Sequence, residues 1–87
     1  MKRLNLHYSE DFRRNKIAGK VYGMLRDKGF DPLRVSEHYN PGLGEMDVAY
    51  LFDDKDAPTE SDLENILRSF MGVTFRLTPL NDMALTK

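Results

Sequence analysis

Thr59-Glu60-Ser61-Asp62-Leu63-Glu64-Asn65-Ile66-Leu67-Arg68-Ser69-Phe70-Met71-Gly72-Val73-Thr74-Phe75-Arg76-Leu77-Thr78-Pro79 changes its hydrophobic period partway through. Leu63, Ile66, Leu67, Phe70 and Met71 stand at i, i+3, i+4, i+7 and i+8, the stripe of a helix that buries one face. After Gly72, Val73, Phe75 and Leu77 alternate with Thr74, Arg76 and Thr78, the period of a half-buried strand, until Pro79 stops it. Thr59 with Asp62 three residues later resembles a capping box with aspartate in place of glutamate, so the helix is expected to begin there and to be capped by Gly72.

Reading outward from this stretch, the polar run Asp53-Asp54-Lys55-Asp56-Ala57-Pro58 separates the helix from a strand over 46–52 that carries Val48, Tyr50 and Phe52. Asn40-Pro41-Gly42-Leu43-Gly44 is dense in turn formers and predicts a hairpin loop of about six residues. Before it, Leu33 and Val35 alternate with Arg34 and Ser36 and give way to Glu37, His38 and Tyr39, a short strand losing its buried face, as an edge strand does. Ile17, Val21 and Leu25, widened by Ala18 and Tyr22, mark another helix, with Arg13, Lys16, Lys20 and Arg26 left for solvent. It is expected to start at Ser9, with Glu10 and Asp11 on its dipole, and to stop near Lys28 before Gly29. Gly19 and Gly23 cost this helix about 1 kcal/mol each relative to alanine, so they imply an imperfect helix or close packing on a sheet. Leu4, Leu6 and Tyr8 alternate with Asn5 and His7 in the first strand.

The order is β-α-β-β-α-β, that of ferredoxin-like α+β domains, with two helices on one face of a four-stranded antiparallel sheet ordered 4-1-3-2. The expected inner face is Leu4, Leu6, Leu33, Val35, Val48, Tyr50, Phe52, Val73, Phe75 and Leu77, covered by Ile17, Val21, Leu25, Leu63, Ile66, Leu67 and Phe70. One domain over 1–80 is expected, with 81–87 as a tail that either makes a helical turn or stays flexible.

The chain of 87 residues contains no cysteine, which removes disulfides, thiolate metal sites and thiol nucleophiles. Its start alternates polar and apolar residues where a secretory leader or a membrane span needs an apolar run, so a cytoplasmic protein with no membrane partner is expected. The net charge of −1 conceals an asymmetry. Residues 1–38 hold nine basic and five acidic side chains, a net of +4, and residues 39–87 hold four and nine, a net of −5. Such polarity steers charged partners, although two solvated faces account for it more simply.

No constellation for chemistry emerges. His7 and His38 are the only histidines, and on this sheet order they lie two strand spacings, roughly 10 Å, apart, with Asp47 the one carboxylate nearby. No metal or cofactor is expected. The acidic run lacks the loop glycine and terminal glutamate of a calcium hand. The two glycines of 40–44 join strand to strand, so they build no phosphate loop, and no serine sits in a nucleophile elbow.

By elimination, the expected function is non-enzymatic: an interaction protein that binds a macromolecular protein partner, as an adaptor or a small inhibitor of a larger complex. Small phage and mobile-element proteins often have this plainness. The first candidate surface is the acidic patch Asp53, Asp54, Asp56, Glu60 and Asp62. The alternative is the sheet face away from the helices, with Arg3, Asn5, His7, Arg34, His38, Leu51 and Arg76, suited to single-stranded RNA or another nucleic acid by charge but lacking exposed aromatic rings for stacking. A homodimer through that open face, where Ala49 and Leu51 make an apolar centre, or through the edge strand, is a further expectation.

Overall fold

A computed structural model describes residues 1–9 and 16–80. Its elements are β1 (Lys2–Ser9), α1 (Ile17–Asp27), β2 (Arg34–Asn40), β3 (Glu45–Phe52), a single 3-10 turn (Asp54–Asp56), α2 (Glu60–Leu67) and β4 (Thr74–Pro79). The sheet is antiparallel throughout, in the order β2-β3-β1-β4, which is the expected 4-1-3-2 read from the other side. The two halves are therefore interleaved, since β1 pairs with both β3 and β4.

Alternation along β1 and β3 sends Leu4, Leu6, Tyr8, Met46, Val48, Tyr50 and Phe52 to the helix side, where all are buried. Ile17, Ala18, Val21 and Leu25 from α1, with Leu63, Ile66 and Leu67 from α2, close over them. Tyr8 and Met46 thus join the core beyond the residues expected there. Among the described residues no helix is long and apolar enough to cross a membrane.

The edge strands depart from expectation. Leu33 and Val35, read as core, are 56 % and 38 % exposed. Val35 does face the helix side, opposite the buried Tyr50, but the helices cover the central strands β1 and β3 and leave the flank of β2 open. On β4, Phe75 and Leu77 are half-buried for a similar reason, and Val73 precedes the strand.

Helix boundaries shift as well. Ser9 ends β1 opposite Glu45 and is not the N-cap of α1, which begins at Ile17, after Lys16 in a left-handed conformation (φ 52°). The expected roles of Glu10, Asp11 and Arg13 lie outside the described residues, as does the tail 81–87. The other end of α1 is as read: with Gly29 at φ +89°, Gly29 N–H donates to Arg26 O and Phe30 N–H to Leu25 O, the paired bonds of a Schellman cap. α2 starts at Thr59 with the capping box in place but ends at Leu67, so Met71 is 86 % exposed and Gly72 (φ +80°) turns the chain into β4 instead of capping the helix. The hairpin between β2 and β3 needs only residues 41–44, because β2 stays paired as far as Asn40.

Candidate functional site

The acidic residues are gathered at the front of α2, and two of the five are committed within the chain. Asp62 Oδ2 accepts hydrogen bonds of 2.9 Å from both the Thr59 backbone N–H and its hydroxyl, which hold its carboxyl below the usual carboxylate range. Asp54 lies 2.9 Å from the α-amine of Met1, and this contact lowers its carboxyl likewise. Asp53, Asp56 and Glu60 complete the patch around the 3-10 turn, and among the described residues none of them is in an ion pair.

The strand registers arrange the outer sheet face in rows. The first runs Arg34, Leu51, Arg3, Thr78; the second Ser36, Ala49, Asn5, Arg76; the third His38, Asp47, His7, Thr74. All the expected residues of this face therefore share it, and Arg3, Arg34 and Arg76 occupy two adjoining rows that contain no carboxylate. Arg3 Nε donates to Asn5 Oδ1 at 3.1 Å, and Arg3, Asn5 and Arg76 border a depression of about 730 Å³ between β1 and β4.

The third row is a charge clamp. His7 Nδ1 is 2.6 Å from Asp47 Oδ1, and its Nε2 contacts Glu45 Oε2. The hydrogen bond to Asp47 is the main reason that its pKa is raised, with Glu45 adding to it. His38 stands opposite Asp47 from the other side, so the two histidines are separated by one intervening strand, as expected. Because the carboxylates meet opposite nitrogens of one ring, they do not converge on a common point, and among the described residues no three such side chains gather as a metal site.

A third feature lies where the core reading failed. Between α1 and the uncovered flank of β2 runs a groove of about 400 Å³, walled by Tyr22 and Ala18 on one side and Val35 and Glu37 on the other. Gly19 forms part of its floor. A Cβ built on Gly19 or Gly23 meets no atom within 4 Å, so neither glycine serves close packing on the sheet. A second hollow of about 410 Å³ continues it past Gly19 toward Tyr39 and Met46. Beside this groove β2 is an edge strand, paired with β3 on one side and with no described strand on the other. The signal in the sequence was the glycine pair in α1 together with the polar drift of β2; both were visible, but only the sheet order places them side by side.

Comparison of the chain with protein-family models, with curated proteins and with solved structures finds no match.

Proposed function

We propose that this chain is a non-enzymatic interaction domain that takes an extended segment of a protein partner onto the free edge of β2. The observation that carries the reading is that β2 is an edge strand whose apolar residue Val35 is left uncovered and lines a groove, with the exposed Leu33 just before the strand. Main-chain pairing along such an edge supplies affinity, and alternate side chains entering the groove supply selectivity. An adaptor or a small inhibitor works in this way by occupying a surface of something larger. The reading takes the cytoplasm as its setting.

Capture from lysate by three forms of the tagged protein, after nuclease treatment, tests it. A specific partner held by the wild type and by Asp54→Lys with Asp56→Lys, but lost with Val35→Lys, is the expected result. The opposite pattern would move the binding site to the acidic patch. A partner absent from all three, with a doubled mass for the wild type in sedimentation that Val35→Lys halves, would mean that β2 pairs with a second copy of the chain.

A second reading rests on the three arginines of the outer face, whose rows contain no carboxylate. If a nucleic acid lies there, Arg34→Ala with Arg76→Ala weakens binding and flattens its salt dependence. An unchanged slope excludes it.

A further inference from the structure

We infer that the segment accepted by β2 alternates in charge as well as in hydropathy, with an acidic residue opposite Arg34, an apolar one opposite Val35, a small one opposite Ser36 and a basic one opposite Glu37. The inference rests on the edge-strand reading proposed above and adds to it the chemistry of the partner.

The faces of β2 are unequally charged. On the outer side stand Arg34, Ser36, His38 and Asn40, with no carboxylate among them; on the groove side stand Val35, Glu37 and Tyr39, with no cation. Among the described residues neither Arg34 nor Glu37 is in an ion pair. Side chains directly opposite on neighbouring strands lie close enough for opposite charges to attract and like charges to repel. An incoming strand therefore gains from a carboxylate on the outer side and a cation on the groove side, at positions that β2 itself fixes. Between them, the side chain opposite Val35 points toward Tyr22 and the space above Gly19, where among the described residues nothing fills the volume that a Cβ would take. An aliphatic side chain suits that position.

A second copy of the chain does not meet these demands. Pairing of β2 with another β2 that keeps the two sheets facing the same way sets outer residues beside outer residues, so Arg34 finds no carboxylate and Glu37 finds no cation. The charge pattern thus points to a different protein.

The test is a titration of isotopically labelled protein, followed through its amide signals, with synthetic peptides centred on Glu-Val-Ser-Lys and on the reversed order Lys-Ser-Val-Glu, which cover both strand directions. Control peptides exchange the two charges. The matched peptide in one direction should bind about tenfold tighter than its control, with shifts along 33–40 and 18–22, and should lose this advantage in high salt. Arg34→Glu combined with Glu37→Lys should invert the preference. Gly19→Leu should weaken binding with the fold intact by circular dichroism. Equal affinity of matched and control peptides at β2 would overturn the charge pattern while leaving the edge reading in place. An absence of shifts at β2 with every peptide would overturn both.

Discussion

At the scale of single residues, Tyr50 shows how a polar group is accommodated in a small core. Its ring is fully buried, and its hydroxyl donates to the carbonyl oxygen of Ala18 at 2.8 Å, tying the middle of β3 to the first turn of α1. Burial pushes the phenol well above its ordinary value, so it stays protonated and keeps donating. Tyr50→Phe should cost about 1 kcal/mol in urea unfolding without altering the secondary structure. His7 works at the surface. Its pKa in the folded chain is raised above the ordinary 6.5, so its contribution to stability is fully present below that value and fades as the pH rises through the raised one. The stability difference between wild type and His7→Gln should therefore be larger at mildly acidic than at alkaline pH. A difference that does not change with pH would show that the clamp with Asp47 and Glu45 is absent in solution.

Among the elements, α2 is short and depends on its start. Thr59→Ala removes the hydroxyl that accepts from Asp62 N–H at 3.2 Å and should cost about 1 kcal/mol, read as a lower urea midpoint. In α1 the opposite substitution is informative. Gly19→Ala meets no atom and should stabilise the domain by up to about 1 kcal/mol, because only the helix propensity changes. The periodicities that placed these elements were legible in the sequence, since the 3.6- and 2-residue repeats follow directly from which side chains must be buried together. Ends were harder to read. Met71 continues the stripe of α2 but lies beyond the last helical turn, and a repeat of apolar positions cannot report where a backbone stops coiling. Leu33 and Val35 followed the strand period correctly and still are not core, because burial depends on whether a helix lies overhead, which is a property of the sheet order. The groove was hidden for the same reason. Its walls come from residues 18–22 and 35–37, and in the acidic patch the capping box foretold the engagement of Asp62, whereas nothing in the run hinted that Asp54 meets the amine of Met1.

For the molecule as a whole, one core spans both helices, so damage at one point should be global. Leu67→Asp places a charge in that core beneath α2 and should abolish cooperative unfolding; a retained sharp transition would mean that α2 is not packed on the sheet. The sheet order has another consequence, concerning time. β1 occupies the middle of the sheet, yet it is made before the other three described strands, and its two neighbours β3 and β4 come much later, with β4 the last of the four. Throughout synthesis Leu4, Leu6 and Tyr8 wait without the strands that flank them, so the nascent chain has no complete intermediate sheet on which to rest. A chain halted at Gly72 would carry both helices and three strands and still expose one side of its central strand. The sheet of this domain is thus completed only when β4 is available, and until then the apolar side chains of β1 are open to whatever shields apolar strands at the tunnel exit.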